Sequence, residues 1–357
     1  MSTRKPAAAL ALLLLFTAGS SAQQFNRFEV FSVLDTYLEA LRQQAGIPGM
    51  SAAVVKDDVI LWERGYGYQD LAARIRATPD TPYMAGDVSA TLAAVLLLQC
   101  VEQRRLELDR PVRQYGVTFT DEDVTLRELL SHTSTETAGG TFHYNPERYT
   151  QLTTVMEFCA PQSYRKSVSH RILNRLAMKD SVPGTDLLDP EFELPDDLFE
   201  EGDAERYRRV LARIAVPYRV DSRGRAEKTQ NTPTTLTSAG GLVTTVRDLA
   251  QLQFALDSFV LLEEETLASA WTNAANRRGT SVPMGLGWFV QSHRGQRVVW
   301  HFGYTPNAYS SLVVKVPAQN LTFILMANSD RLSAQFQLPQ GDVTRSLFAA
   351  LFLRLFT

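Results

Sequence analysis

The sequence predicts an α+β fold: one antiparallel sheet built from both ends of the chain, flanked by an N-terminal and a C-terminal helix, with a helical lobe inserted between. Three observations carry this. A helix-period run and two strand-like runs open the chain, and a long, mostly helical stretch fills its middle. Four strand-like runs and a last amphipathic helix close it. At 45% hydrophobic and 21% charged residues the chain can fill a substantial core.

The first element is a leader. Arg4 and Lys5 precede an apolar run from Ala7 to Phe16, and small residues follow up to Ala22. That order predicts a secretory signal peptide over residues 1–22, cleaved after Ala22. The apolar run is too short for a membrane span, which needs about 20 residues. The residue directly after the cleavage point is Gln23 and not a cysteine, so no lipid anchor and no stable membrane attachment are expected, and the predicted location is periplasmic or secreted.

From Arg27 to Gln43 the residues Phe28, Phe31, Leu34, Tyr37, Leu38 and Leu41 recur at helical spacing until Gly46-Ile47-Pro48-Gly49 breaks the pattern. Met50–Lys56 and Val59–Tyr68, joined at Asp57-Asp58, predict a hairpin. After Gly86, Ala90–Val101 is apolar on nearly every face and predicts a helix buried inside the protein. Thr125 to Leu130 carries a capping box, and Asn145-Pro146-Glu147 is a helix start with Asn as cap and Pro at the first position. Thr245–Leu256 reads as helix. Trp288–Gln291, Val298–Phe302, Ser310–Val316 and Leu321–Ala327 read as successive strands, and Val343–Phe356 as the closing helix. The sheet lobe is therefore expected over about 23–86 and 235–357, and the helical lobe over about 87–234, with a ligand cleft between them.

Two composition features bear on function. A net charge of −3 offers no field to draw in nucleic acid or anionic lipid. Between Asp186 and Glu205 ten acidic residues occur without a basic one, and Arg206, Arg208, Arg209 and Arg213 follow. A solvated, self-neutralising surface is the expectation, with an acidic docking site as the alternative. Cys100 and Cys159 both lie in apolar helical stretches and are expected to be small buried residues, not partners in a bridge. Neither has metal-ligand spacing, and no cofactor is expected.

Several runs carry a resemblance, in order and along nearly the whole mature chain. They are Gly46-Ile47-Pro48-Gly49-Met50-Ser51, Thr81-Pro82-Tyr83, Leu108-Asp109-Arg110-Pro111-Val112, and Thr125 through Ser134, which includes Ser131-His132-Thr133. Ala239-Gly240-Gly241-Leu242 and Gly285-Leu286-Gly287-Trp288 complete the set. Together they resemble the serine beta-lactamase-related family: class C beta-lactamases, low-molecular-weight penicillin-binding proteins and related esterases. The resemblance implies a beta-lactamase/transpeptidase-like fold.

It also implies a mechanism that this sequence departs from. The family places Ser-x-x-Lys at the start of a buried helix, where the lysine helps deprotonate the serine. Here the four residues are Asp87-Val88-Ser89-Ala90, so both groups are gone. Ser89 faces away from the direction of Asp87 and is not expected to substitute. The Tyr-x-Asn element reads Tyr144-Asn145-Pro146, keeping the tyrosine and losing the amide. The third element appears as His301-Phe302-Gly303. Gly303 would admit a ligand backbone, and the N–H of Tyr304 would be the second oxyanion donor.

The expected cleft thus holds Tyr144, His301, Phe302, Gly303 and Tyr304 around the Asp87 carboxylate. Asp87 is expected to cap the following helix, and as a sharper reading to repel acyl substrates that carry their own carboxylate. The favoured function is a non-catalytic pseudoenzyme, with no intact catalytic set at Asp87, Ala90, Tyr144, Pro146, His301 and Gly303. Its partner would be a small-molecule or cell-wall-derived ligand, or an exported protein. The alternatives are a working hydrolase rebuilt around Asp87, Tyr144 and His301, and a purely structural role. A metal centre of His132, His143, His301 and Asp87 lacks ligand spacing and is not expected.

Overall fold

The computed structural model describes residues 18–134, 141–160 and 162–357. Most of the expected leader, residues 1–17, lies outside the described residues. The opening helix is longer than its amphipathic core: α1 runs Ala18–Gln44. β1 (Gly49–Lys56), β2 (Val59–Asp70), β3 (Ile75–Arg76) and β4 (Tyr83–Met84) follow. The middle of the chain forms α2 (Ala90–Glu102), α3 (Leu126–Leu130), α4 (Pro146–Thr150), α5 (Leu152–Cys159), α6 (Tyr164–Val168), β5 (Val182–Pro183) and α7 (Asp203–Leu211). Then come β6 (Tyr218–Val220), β7 (Ala226–Lys228), β8 (Leu242–Thr244), α8 (Val246–Asp257) and α9 (Glu264–Ala270). The chain closes with β9 (Phe289–His293), β10 (Gln296–Thr305), β11 (Tyr309–Val316), β12 (Leu321–Ala327) and α10 (Leu347–Phe356).

The main sheet has the order β3-β2-β1-β12-β11-β10-β9, with neighbouring strands antiparallel. The two ends of the chain meet at its centre, where Met50 lies opposite Ala327 and Lys56 opposite Leu321. Both faces are covered. In β12, Leu321, Phe323, Leu325 and Ala327 join the core beneath α1 and α10, while Ile324 and Met326 join the core shared with the helical lobe. A strand buried on both faces reads as an unbroken apolar run, which is why β12 shows no polar alternation. α2 crosses the second core and is buried from Ala90 to Cys100. The three-stranded sheet β4-β8-β5 is built from strands of two or three residues and has no counterpart in the sequence reading.

The cysteines correct the sequence expectation. Cys100, at the end of α2, and Cys159, at the end of α5, form a disulfide across 59 residues. Helical periodicity identifies each as buried but does not reveal that these two helices pack together. The acidic stretch is corrected in part. Asp186 is buried in a two-pronged ion pair with Arg165 at 2.6 and 2.7 Å, and Asp203 is buried against Arg206 and Asn174. Asp189, Glu191, Glu193, Asp196 and Glu201 are exposed or half-exposed, as expected of a solvated face.

Candidate functional site

The site lies where the turn before α2 meets strand β10. Ala85 donates its N–H to the carbonyl of Leu242, and its own carbonyl accepts from Ser311 Oγ at 2.6 Å. Gly86 takes a φ of +56°, open to glycine at little cost, and a Cβ there would stand 2.6 Å from the Tyr304 nitrogen. A Cβ on Gly303 would fall 1.9 Å from the Ala85 carbonyl oxygen. Two glycines thus let two backbones approach more closely than side chains would allow.

That approach positions Asp87. Its carboxyl stands close enough to the N–H of Tyr304 and to its own N–H for both to favour the ionised form. The Tyr304 N–H is the one that the family resemblance implies as second donor to a reacting carbonyl oxygen. Burial pushes the carboxyl up to about 7, against the downward pull of the two N–H groups. Asp87 remains partly exposed, whereas Gly86, Val88, Ser89 and Ala90 around it are buried.

The helix-cap expectation for Asp87 is corrected. Residues 86–89 form a 3₁₀ turn, α2 begins at Ala90, and Ser89 at the cap position makes no side-chain cap bond. The carboxylate is directed to strand β10 instead. Ser89 is buried, donates to the Gly86 carbonyl at 2.7 Å and accepts from the Leu242 N–H at 3.3 Å, so its one hydroxyl proton is committed. Ala90 is buried, and its carbonyl accepts from the Tyr149 hydroxyl at 3.2 Å.

Tyr144 reaches the same place from the chain before α4. Burial raises its hydroxyl well above the ordinary tyrosine range, and the Asp87 charge raises it further. Its ring packs 4.5 Å from His132, 5.2 Å from Phe302 and 6.2 Å from His301. Asn145 caps α4 by accepting the Arg148 N–H at 3.0 Å, with Pro146 at the first helical position. Residues 135–140, just before this segment, lie outside the described residues.

Both nearby imidazoles are neutral. Burial lowers His301 to about 4 and His132 to about 3, the latter aided by the other histidines. His301 Nδ1 donates to the Phe302 carbonyl at 2.8 Å, which leaves Nε2 as a buried acceptor without a hydrogen-bond partner. His301 lines a closed recess with Val88, Thr91, Trp271 and Lys315. His132 holds the Tyr144 segment, since its Nδ1 accepts the Asn145 N–H at 3.0 Å. Among the described residues no group of three or more His, Cys, Asp or Glu side chains is placed to hold a metal ion. The sequence reading missed His132 as the residue that seats Tyr144. The signal was present in Ser131-His132-Thr133, where His132 adopts a φ of +54°.

The chain is similar to known proteins over nearly all of its folded length. The family described as Beta-lactamase matches residues 34–340. Protein flp of Staphylococcus aureus strain MW2 is 25% identical over 186 residues, which is 42% of this chain and 37% of that protein. The mitochondrial serine beta-lactamase-like protein LACTB of Mus musculus is 31% identical over 117 residues, 31% of this chain and 20% of that protein. The chain thus spans well under half the length of these relatives. Among solved structures, the octameric penicillin-binding protein homologue from Pyrococcus abyssi superposes with a TM-score of 0.73 at 20% identity, covering 91% of this chain and 77% of that one. The class C beta lactamase from Rhodobacter sphaeroides gives 0.67 at 16% identity, covering 91% and 99%. At these identities the likeness carries the fold, a beta-lactamase/transpeptidase-like α/β arrangement. With the family match extending over residues 34–340, the chain belongs to the beta-lactamase family.

Proposed function

We propose that the protein is an exported, non-acylating member of this family that uses the former substrate cleft for binding or regulation. One observation carries the reading: the turn into α2 carries Asp87 and Ala90 where acylation needs a serine and a lysine, and the Tyr304 N–H of β10 favours the ionised Asp87 carboxyl. In acyl transfer such donors stabilise charge that develops on a substrate carbonyl oxygen. Here the Asp87 carboxyl of the protein itself stands within their influence. A carboxylate is a poor acyl acceptor, Ala90 has no amine to move a proton, and Pro146 has no donor for substrate. Export is supported by the basic, apolar and small residues of the N-terminus and by the Cys100–Cys159 disulfide, which suits an oxidising compartment. A small-molecule or cell-wall-derived ligand, or an exported protein, would occupy the cleft.

A second reading, a hydrolase rebuilt around Asp87, Tyr144 and His301, is favoured by the Asp87 carboxyl near 7, the range of a useful general base. The commitment of His301 to the Phe302 carbonyl weighs against it. Purified protein should form no adduct with a fluorescent penicillin and turn over no chromogenic ester or cephalosporin. The double change Asp87→Ser with Ala90→Lys should gain measurable acylation. Wild-type turnover that disappears in Asp87→Ala would overturn the proposal in favour of the second reading.

A further inference from the structure

The recess behind the candidate site holds polar atoms that the protein itself leaves unpaired. His301 is 1% exposed, and its Nδ1 donates to the Phe302 carbonyl at 2.8 Å, so its Nε2 is an acceptor. Trp271, directly after α9, is 8% exposed, and its indole N–H is a donor. Among the described residues neither atom has a hydrogen-bond partner, and both residues line the recess. A buried polar group without a partner keeps the full cost of leaving water. A donor and an acceptor on one cavity wall share a remedy.

Other polar groups face the same space. The Lys315 ammonium, on β11, meets both oxygens of Asp257 at 2.6 Å and lies 5.6 Å from the centre of the Trp271 ring. An ammonium carries three N–H groups, so one remains. The Thr91 hydroxyl spends its proton on the Val88 carbonyl at 2.8 Å and keeps a lone pair. Gln253, also on the wall, can donate or accept. About 10 Å³ is open to the centre of a water-sized body, close to the need of one water and far below that of an organic ligand. An anion would suit the ammonium and the indole but would lie against the His301 lone pair. A water donates as well as accepts.

We infer that the recess is a binding site for a single water, which donates to His301 Nε2 and accepts from the Trp271 indole N–H and the Lys315 ammonium. Lys315 and Trp271 are thereby positioning residues for His301. The chain from Asp257 through Lys315, the water and His301 ends on the Phe302 carbonyl, one residue before the Gly303 that meets Ala85. It keeps the imidazole in its Nδ1–H tautomer and braces the stretch of β10 that faces the cleft. The inference stands whether or not the cleft acylates.

A crystal structure of the full chain, at a resolution that shows ordered water, tests the site. A single peak should stand at hydrogen-bond distance, about 2.7–3.2 Å, from His301 Nε2, Trp271 Nε1 and Lys315 Nζ. A bromide soak should leave that peak without anomalous signal. Ring-nitrogen NMR should show His301 protonated on Nδ1 and hydrogen-bonded at Nε2. Trp271→Phe keeps a ring and removes the N–H; it should move the Nε2 signal toward that of a free acceptor while the protein still melts cooperatively. Lys315→Met with Asp257→Leu removes the ion pair as a unit and should move the signal the same way. A role for these residues in packing alone would leave it in place. A dry recess, bromide at the peak, His301 protonated on Nε2, or an Nε2 signal unchanged in both variants would overturn the inference.

Discussion

Asp87 carries a measurable cost whose sign is the reverse of most carboxylates in folded proteins. Burial holds its folded carboxyl near 7, while an unfolded chain releases that proton near 4. Between those values the native state binds more protons than the unfolded state. The stabilising contribution is therefore complete below about pH 4 and is lost as pH rises through 7. Allowing for partial exposure, the loss at pH 8 is on the order of 3 kcal/mol. Asp87→Asn keeps an acceptor for the two N–H groups and cannot ionise. Its melting temperature should exceed that of wild type at pH 8, with the gap shrinking at pH 5. An equal gap at both values would show that the carboxyl titrates as an ordinary one. The Asp87-Val88-Ser89-Ala90 run at the start of α2 was legible in the sequence. Where its carboxylate points was not, because the Tyr304 N–H arrives on a strand from the far end of the chain and overrides the local preference of Asp for a helix cap.

Between elements, the bond from Cys100 to Cys159 fastens the far end of α2 to α5, and α2 is the helix that follows the Asp87 turn. Closing a loop of 59 residues removes about 4 kcal/mol of unfolded-state freedom in the chain-entropy model. Reduction, or Cys100→Ser with Cys159→Ser, should lower the denaturant midpoint by a corresponding amount, with a steeper slope as the released unfolded chain exposes more surface. A shift of under about 1 kcal/mol would mean that packing alone holds the two helices. Long periodic elements were legible here: α2, α8, β1 and β12 lie close to their expected places, and the caps at Thr125 and Asn145 are both formed. Elements of two or three residues were not, since Tyr83–Met84 and Val182–Pro183 are strands only because Leu242–Thr244 lies between them.

For the molecule as a whole, the arrangement of sheet and helical lobe followed from hydrophobic period, which records how much of each element is buried. Partnership among charges was not recorded there. Asp186 stands first in an acidic run, yet the structure buries it against Arg165, with the Arg165 guanidinium over the ring of Phe199. This pair fastens the start of the acidic segment to α6. Arg165→Ala leaves a buried carboxylate unpaired and should cost roughly 3–5 kcal/mol, read as a lowered unfolding midpoint. Replacing Arg165 and Asp186 together by apolar residues should recover most of that loss. Failure to recover would show that the pair does more than neutralise itself.

The seam between β1 and β12 has a further consequence, one of time. Residues 50–56 are made long before residues 321–327, the strand that covers their open edge. Until β12 arrives, β1 presents an unpaired apolar rim of the kind that invites wrong partners. β10, which supplies the Tyr304 N–H, is equally late. The order of manufacture thus decides when the cleft first comes into being: a ribosome must add more than two hundred residues after Asp87 before the β10 strand beside it exists.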